Sequence, residues 1–512
     1  MSSVSTGRQR SGRAPASDGA QRGLGRHRAP RRGRPLRPVV VVVVLVLGTA
    51  SAACTVGSAD ESVGGAPRTS SPAPATAAPA TAPPATAPPS TAPPSTLPPF
   101  TATTTATSTV AIAPVGSCST GPGTGATDPV ALDDAALRLA PALDRLRGAG
   151  ARMGVSVWVD GVGEVVAVEP QTPLVPASNQ KLFIAFAALE LLPLDTTLPT
   201  TVVATGPVVD GVLQGDLVLV GGGDPTITRA GPHSLDALAA QVQAAGISGV
   251  TGRLLVDETR YDEVRTGSGW ADGAWQQSNV GLLSALVVDR NRNNPDPAFA
   301  ADPTLANLRS FRTALGDAGV TVAGFDDRGS GQAGVQVAAL ASPPLPELIT
   351  ALLTRSDNLA AELLLKEIGW RTTGVGSAAA GIDSARASLA ARCVPVDGID
   401  SDGSGLSRTD TRSPGAWRRL LEVARTRPWF GTFRDALAVS GSSGTLATRL
   451  GGADTAGRVQ AKTGSTAVSG ALSGYLTGAS GSTVVFSVVV NQPAGAPEPA
   501  IDGFVTALVR EL

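Results

Sequence analysis

Lysine and histidine are both scarce in this chain of 512 residues. Lysine occurs only as Lys181, Lys366 and Lys462, against 38 arginines. Arginine is effectively always charged, so a lysine in an arginine-rich chain points to a place where an amine must be able to lose its proton. Histidine occurs only as His27 and His233. This count nearly excludes a histidine-rich zinc site, and a Ser-His-Asp triad would have to use His233, whose Gly-Pro-His-Ser segment is typical of a helix start.

Acidic residues are almost missing from the first 37 positions, which hold ten arginines and one aspartate. Residues 39–47 are then wholly apolar, and residues 48–53 are small. This layout is typical of a secretory signal peptide, and the apolar run is shorter than the roughly 20 residues of a membrane-spanning helix. We predict that residues 1–53 are a signal peptide or an N-terminal membrane anchor, and that the protein works outside the cytoplasm, secreted or held at the outer face of the membrane. Cys54 follows a segment that resembles a bacterial lipoprotein cleavage site, but Ser51 replaces its aliphatic residue, so lipidation stays open.

Basic residues are the minority once this leader is set aside. Residues 38–512 contain 31 basic and 41 acidic side chains, which gives a formal charge of −10. This balance supports neither nucleic-acid binding nor recruitment to anionic polymers, so we expect no nucleic-acid partner.

Cysteine is limited to Cys54, Cys118 and Cys393, and no C-x-x-C pair is present. In an exported protein, Cys118 and Cys393 are more typical of one disulfide than of a metal site. Such a bond would tie the start of the folded region to its later half. We therefore predict a Cys118–Cys393 disulfide, and we expect neither a metal nor a cofactor.

Complexity is low over residues 66–114, which are almost entirely Ala, Pro, Thr and Ser. A segment this rich in proline cannot form a core and favours an extended spacer of about 3.1 Å per residue. We predict a disordered linker over residues 54–117. One domain would then comprise residues 118–200 and 346–512, interrupted by a smaller inserted α/β domain at 201–345.

Hydrophobic periodicity predicts an α+β fold built on a largely antiparallel sheet. The apolar helix that begins at Ser178 should be buried, because its side chains are apolar on every face. Helices are predicted at residues 128–147, 234–245, 304–317 and 501–512, and strands at 155–159, 165–168, 212–220, 457–461, 467–476 and 483–490. The glycine-rich residues 221–225 lack the G-K-[ST] of a phosphate loop and favour a structural turn.

Two of the three lysines fall in short motifs, and a third motif lies between them in the chain. Residues 178–181 read S-x-x-K, residues 356–358 read S-D-N and residues 462–464 read K-T-G. Serine enzymes that act on penicillins and D-alanyl peptides use these three motifs together. Ser178 and Lys181 are three apart on a predicted helix, so their Oγ and Nζ atoms can come within hydrogen-bond reach. Because burial lowers the pKa of a lysine, we predict Ser178 as the nucleophile and Lys181 as its general base.

The other two motifs are expected to act on the substrate. The Ser356 hydroxyl would relay a proton to the leaving amine, and the Asn358 amide would bind a substrate carbonyl, although these residues equally fit a plain helix N-cap. Lys462 is expected to be a permanent cation that faces a C-terminal carboxylate, with Thr463 as a hydroxyl donor and Gly464 allowing close approach of the backbone. The alternative for Lys462 is an exposed lysine at a strand end.

Taken together, these motifs resemble those of the S13 peptidases, low-molecular-weight class C penicillin-binding proteins that act as D-alanyl-D-alanine carboxypeptidases and endopeptidases. The similarity covers roughly residues 125–512 and includes GGGDPT at 221–226, VDRN at 288–291, DGSGLSR at 402–408 and VQAKTG at 459–464. The resemblance implies a penicillin-binding, serine β-lactamase-like fold with an inserted domain. The insert is too short for the two nested domains that many relatives carry.

The resemblance also implies a substrate site for peptidoglycan stem peptides and for β-lactam antibiotics. Its oxyanion hole would consist of the backbone N–H groups of Ser178 and Thr466, and Arg408 would line the pocket for the stem-peptide side chain. The substrate-binding residues expected on this basis are Thr463, Gly464, Ser465, Thr466 and Arg408.

Three functions remain open from the sequence. The leading one is a serine D-alanyl-D-alanine carboxypeptidase or endopeptidase that forms an acyl-enzyme at Ser178 and is inhibited by β-lactams. A serine β-lactamase would normally have a much shorter gap than the 177 residues between Ser178 and Ser356. A non-catalytic penicillin-binding cell-wall protein is the third, and the intact motifs argue against it.

Overall fold

The computed structural model describes residues 129–270, 279–291 and 302–512, which all fall within one compact unit of the chain. The helices are α1 (Pro129–Arg147), α2 (Gln180–Leu191), α3 (Leu235–Ala244), α4 (Pro303–Asp317), α5 (Leu345–Thr354), α6 (Asn358–Thr373), α7 (Ala378–Ala390), α8 (Pro414–Arg425), α9 (Phe430–Asp435) and α10 (Glu498–Glu511). The strands are β1 (Gly150–Val159), β2 (Gly163–Val168), β3 (Pro199–Ala204), β4 (Val208–Val209), β5 (Val212–Leu213), β6 (Leu217–Val220), β7 (Gly249–Val250), β8 (Leu254–Asp257), β9 (Thr321–Val322), β10 (Asp326–Arg328), β11 (Val335–Ala341), β12 (Ala438–Val439), β13 (Val459–Thr466), β14 (Ser469–Thr477) and β15 (Thr483–Pro493).

A six-stranded antiparallel sheet, in the order β12-β13-β14-β15-β1-β2, lies between two layers of helices. Strands β14 and β15 are buried along nearly their whole length, so both faces of the sheet need a cover. On one face Phe186 of α2 and Trp417 of α8 belong to the core, and on the other Leu139 of α1 and Phe504 of α10 do. The α+β fold predicted from the sequence is confirmed.

The buried helix predicted from Ser178 starts two residues later than expected. Residues Ala177–Asn179 form a 3-10 turn, and α2 begins at Gln180. Ala177 has a φ of 49°, a left-handed conformation that a right-handed helix cannot include. Ser178 therefore stands on a tight turn at the head of α2. The burial predicted for α2 is confirmed, because almost every side chain in it is inaccessible to solvent.

The chain between β3 and β11 builds two further sheets. A mixed five-stranded sheet has the order β10-β8-β6-β3-β11, with β8 parallel to both β6 and β10, and α3 and α4 supply apolar side chains to its core. A short four-stranded sheet has the order β4-β5-β7-β9. The single strand predicted over residues 212–220 is wrong, because β5 and β6 belong to different sheets. The turn between them holds Gly215 so close to Gly206 that a Cβ at 215 would lie 2.9 Å from the Gly206 nitrogen.

The glycine-rich segment at residues 221–225 is a structural turn, as predicted. Its Asp224 is buried and accepts hydrogen bonds from the backbone N–H and the hydroxyl of Thr226, at 2.8 and 2.6 Å. The other Asp224 oxygen lies 2.7 Å from Nε2 of His233. Ser234 caps the N-terminus of α3, so His233 does stand at a helix start.

Cys393 follows α7 and is disulfide-bonded. Cys54 and Cys118 lie outside the described residues, as do the predicted leader and linker, so the pairing with Cys118 stays a prediction. Within the three described ranges, no helix is long and apolar enough to cross a membrane.

Candidate active site

The three motifs meet in space although they are far apart in the chain. They lie at the head of α2 (178–181), at the start of α6 (356–358) and on β13 (462–464). Lys181 Nζ is 2.7 Å from Asn358 Oδ1, which joins the first motif to the second. Lys462 Nζ is 2.9 Å from Ser356 Oγ, which joins the second to the third. The grouping expected from the sequence is thus present in the structure.

The turn that carries Ser178 depends on close backbone packing. A left-handed conformation is uncommon for a residue with a side chain and costs on the order of 1–3 kcal/mol, so the φ of 49° at Ala177 must be imposed by its surroundings. Gly405 contributes to this, because a Cβ there would lie 1.9 Å from the Ala177 carbonyl oxygen. Gly464 of β13 packs on the other side, where a Cβ would lie 3.2 Å from the Ser178 nitrogen. The sharp turn leaves Ser178 half-buried rather than enclosed.

Lys181 has three hydrogen-bond partners, all acceptors in the arrangement observed. Its Nζ lies 3.1 Å from Ser178 Oγ, 2.7 Å from Asn358 Oδ1 and 2.5 Å from the carbonyl oxygen of Ser404. A neutral amine has two hydrogens and one lone pair. Asn358 and Ser404 can take the two hydrogens, which leaves the lone pair for the hydroxyl of Ser178. The geometry therefore suits a general base as well as an ammonium.

Burial also favours the neutral form of Lys181. The side chain is inaccessible to solvent, and desolvation lowers its pKa from the usual 10.5 to about 8. The nearby acids, Asp402 and Glu362 first among them, oppose this shift and keep the pKa from falling further. With a pKa of about 8, about one-tenth of the molecules carry the neutral amine at pH 7.

Three buried acidic side chains that act on Lys181, namely Glu362, Asp402 and Asp410, were not predicted from the sequence. Glu362 of α6 accepts hydrogen bonds from the backbone N–H groups of Gly403 and Ser404, at 3.1 and 2.8 Å. Burial, followed by the charge of Asp402, raises the pKa of Glu362 to about 8. Burial and Asp402 likewise raise the pKa of Asp410 well above its usual value. The one available signal was a glutamate in the middle of the otherwise apolar run LAAELLL.

Lys462 is fully buried on β13 and donates hydrogen bonds to Ser356 Oγ and, at 2.7 Å, to the Thr463 carbonyl. Burial lowers its pKa well below 10.5, and the charge of Lys181 adds to this effect. Burial therefore works against the permanent cation that the sequence predicts at Lys462, and no acid among the described residues compensates for it. The alternative of an exposed strand-end lysine is wrong.

The other residues predicted to bind substrate lie along the same strand or face it. The hydroxyl of Thr463 donates to that of Thr445 at 2.7 Å, and the exposed Ser465 donates to Glu498 at 2.8 Å. Thr466 and Arg408 line one small pocket, together with residues 406–407, 467–468 and Val175. Arg408 is exposed, and its backbone N–H donates to the Gly269 carbonyl at 3.3 Å.

The third lysine lies outside this group. Lys366 is buried on α6, where its Nζ pairs with Asp262 and donates to the carbonyl of Val264 at 2.7 Å. It ties α6 to the segment that follows β8, which is a structural role.

Replacing Glu362 by Gln is expected to move acylation of Ser178 to lower pH. The amide keeps an oxygen for the N–H groups of Gly403 and Ser404 but cannot ionise. Glu362, with a pKa of about 8, is about half ionised at the midpoint of the Lys181 titration, and this negative charge favours the Lys181 ammonium. The pKa of Lys181 then falls, so the midpoint of the rising limb of rate against pH moves down by up to about one unit. Profiles of penicillin acylation, with Glu190→Gln as a buried-glutamate control, check this. An unchanged midpoint would mean that Glu362 does not act on Lys181.

An antiparallel sheet between helical layers, with a serine and a buried lysine at the head of a helix, defines an acyl-transferring serine enzyme of the penicillin-recognising class. The chain belongs to the D-Ala-D-Ala carboxypeptidase 3 (S13) family, whose model matches residues 142–298 and 298–508.

Similar proteins agree with this assignment. A D-alanyl-D-alanine carboxypeptidase of Actinomadura sp. (strain R39) is 32% identical over 444 residues, which cover 71% of this chain and 82% of that protein. A carboxypeptidase of Mycobacterium tuberculosis is 30% identical over 358 residues, 66% of this chain and 75% of that one. The crystal structure of penicillin binding protein 4 from Haemophilus influenzae has a TM-score of 0.65 at 22% identity, over 72% of this chain and 98% of that one, and shares the fold.

Proposed function

We propose that Ser178 is the nucleophile, and Lys181 its base, of a serine D-alanyl-D-alanine carboxypeptidase that acts on peptidoglycan stem peptides. The single observation that carries this assignment is the distance of 3.1 Å between Lys181 Nζ and Ser178 Oγ, at a lysine whose pKa is lowered to about 8. A D-Ala-D-Ala carboxypeptidase of this family is a hydrolase that forms an acyl-enzyme and binds β-lactams, and it acts outside the cytoplasm.

The contacts of Ser178 and Lys181 indicate how Ser178 would be acylated. As its Oγ attacks the carbonyl carbon of the D-Ala-D-Ala bond, its proton passes to the lone pair of Lys181 Nζ. Asn358 and the Ser404 carbonyl hold the other two hydrogens of the amine, which fixes the direction of that lone pair. The developing oxyanion would be bound by the backbone N–H groups of Ser178 and Thr466.

Release of the terminal D-alanine needs a proton on the leaving nitrogen. Ser356 Oγ accepts a hydrogen bond from Lys462 Nζ at 2.9 Å, and its hydroxyl would supply that proton. Ser356 would then recover a proton from Lys181 or Lys462. The substrate carboxylate would lie near Lys462, Thr463 and Ser465 and give Lys462 a counter-charge, which none of the described residues supplies. Water then attacks the ester at Ser178 and restores the hydroxyl. Arg408 and Thr466 would line the pocket for the stem side chain.

The rest of the chain would place this centre in the cell wall. Residues 1–53 would direct export or anchor the chain to the outer face of the membrane, with Cys54 as a lipidation site, and residues 54–117 would form the spacer. Residues 118–200 and 346–512 would form the catalytic domain, and 201–345 the inserted one. The sheet that contains β3, β6, β8, β10 and β11 supports the last division.

Cys118 and Cys393 are expected to form a disulfide in exported protein. Cys393 is already disulfide-bonded, and Cys54 would be removed or lipidated during export. By the chain-entropy model, closing so long a loop stabilises the fold by up to roughly 5 kcal/mol. Peptide mapping without reduction checks this, with a reduced sample as control. Two free thiols at these positions would refute it.

Incubation with a D-Ala-D-Ala-terminated stem peptide and with a cross-linked dimer tests the function. Release of D-alanine from the first is the expected result, and cleavage of the second would add endopeptidase action. The same protein should hydrolyse benzylpenicillin only slowly. Rapid penicillin turnover without D-alanine release would favour a β-lactamase, and no reaction with any of the three would favour a non-catalytic wall protein.

A further inference from the structure

Three consecutive residues with side chains, Asp289, Arg290 and Asn291, have left-handed backbones, with φ values of 46°, 59° and 60°. Residues other than glycine avoid this conformation, and a run of three persists only where the surrounding structure imposes it. Strain of this kind concentrates at functional sites. These three residues belong to the inserted part of the chain, residues 201–345, and they lie next to the start of α6.

The two outer residues of this turn hold it to the inserted part of the chain. The Asp289 N–H donates to the Ile227 carbonyl at 2.9 Å. The Asn291 side chain donates to the Leu282 carbonyl at 2.6 Å and accepts from Asn307 of α4 at 2.9 Å. Both ends of the turn are thereby fixed, and the middle residue is free to project toward α6.

Arg290 projects onto the middle residue of the S-D-N motif. Its two terminal nitrogens donate to the two carboxylate oxygens of Asp357, each at 2.7 Å, which is the bidentate geometry of a strong ion pair. The side chain of Asp357 is 12% exposed and that of Arg290 is 41% exposed. Asp357 lies between Ser356, whose own φ is 59°, and Asn358, which binds Lys181.

We propose that Arg290 is a positioning residue for acylation: through Asp357 it fixes the Ser356 hydroxyl and the Asn358 amide against Lys462 and Lys181. The inserted part of the chain is then a component of the catalytic apparatus rather than an appendage. This inference rests on the proposed function, because it assigns to Arg290 a part in the proton transfers described above.

Capping of α6 does not need this ion pair. Asp357 accepts a hydrogen bond from the Ala360 N–H at 3.0 Å, and this bond remains when Arg290 is removed. The helix should therefore form without Arg290. What the ion pair adds is a fixed direction for the strained Ser356 turn and a positive charge that offsets Asp357.

The offset charge bears on Lys181. The titratable groups that face Lys181 are Asp357 at the N-cap of α6, Glu362 from α6, Asp402 and Asp410 from the loop before α8, and Lys462 from β13. Without Arg290 the negative charge of Asp357 is no longer balanced, so it favours the Lys181 ammonium more strongly. The pKa of Lys181 rises, and a higher pH is needed to generate the base.

Arg290→Ala in the full chain tests this directly. The rate constant for acylation by benzylpenicillin should fall about tenfold to a hundredfold, the cost of a misplaced catalytic group. The loss should appear in kcat for D-alanine release more than in KM, and the rising limb of the pH profile should move to higher pH. Arg290→Lys, which keeps a cation but not the fork, should recover part of the rate. Guanidinium chloride well below unfolding concentrations should partly rescue Arg290→Ala, and sodium chloride should not.

Arg253→Ala is the matched control. Arg253 pairs with Asp216 at 3.0 Å in the same inserted part and is 43% exposed, but neither residue contacts a motif. Its acylation rate should equal that of the wild type. The inference is overturned if Arg290→Ala acylates at the wild-type rate with the same pH profile, or if Arg290→Lys and guanidinium restore nothing. A wild-type chain that itself fails to acylate would instead overturn the proposed function.

Discussion

Lys181→Arg is expected to abolish acylation of Ser178 while the protein stays folded. Arginine keeps the positive charge but cannot lose its proton at physiological pH, so no group remains to accept the proton of Ser178. General bases contribute about 10²- to 10⁴-fold, and the rate should fall by at least that much. Stopped-flow measurement of acylation by benzylpenicillin checks this, with the melting temperature measured on the same sample.

Lys462→Arg is the control for this variant, because it also replaces a buried lysine by arginine but leaves the proposed base in place. Lys462 is equally buried, and its proposed role is to bind a carboxylate, which arginine also does. We expect substrate capture to weaken, but less severely than acylation fails in Lys181→Arg. If Lys181→Arg acylates as fast as the wild type, Lys181 is not the base and the mechanism is wrong.

Ser178→Ala is expected to remove all covalent chemistry, whereas Ser356→Ala should only slow it. The first variant lacks the oxygen that bonds to the substrate carbonyl, so neither an adduct nor released D-alanine should be detected. In the second, Ser178 and Lys181 keep their contact of 3.1 Å and only the relay to the leaving nitrogen is lost.

Intact-mass spectra of both variants after incubation with benzylpenicillin make this comparison. The expected pattern is an adduct on Ser356→Ala that forms slowly and no adduct on Ser178→Ala. An adduct on Ser178→Ala would place the nucleophile elsewhere.

A spacing of three residues made the Ser178–Lys181 pair predictable, because this spacing places two side chains on one face both in an α-helix and in the 3-10 turn that carries Ser178. The other partners of Lys181 were not predictable in the same way. Asn358 and Ser404 are 177 and 223 positions further along the chain, and only the packing of α6 and the loop before α8 against α2 brings them to Nζ. Sequence motifs identify the residue types of the site, but they do not show that the Ser404 carbonyl is the one that lies against Lys181 Nζ.

Backbone conformation at Ala177 and tertiary burial of Lys462 account for two places where the structure differs from the sequence-based prediction. The amino-acid types of residues 177–179 do not show that Ala177 is left-handed, so the sequence predicts a helix from Ser178, whereas α2 begins at Gln180. Lys462 was expected to be a permanent cation because its motif is typical of carboxylate binding. Its complete burial without an acid partner in the described ranges depends on the tertiary structure.

The central claim is a long-lived acyl-enzyme at Ser178, and trapping it with benzylpenicillin tests that claim most directly. The two buried carboxylates that affect Lys181 most, Asp402 and Glu362, accept hydrogen bonds from backbone N–H groups, so neither is poised to activate a deacylating water. After excess penicillin is removed, intact-mass spectra followed over time and peptide mapping should show one adduct, on the peptide that contains Ser178, which decays slowly. Rapid return to the unmodified mass, with the penicillin consumed in many turnovers, or an adduct on any other residue, would contradict the account.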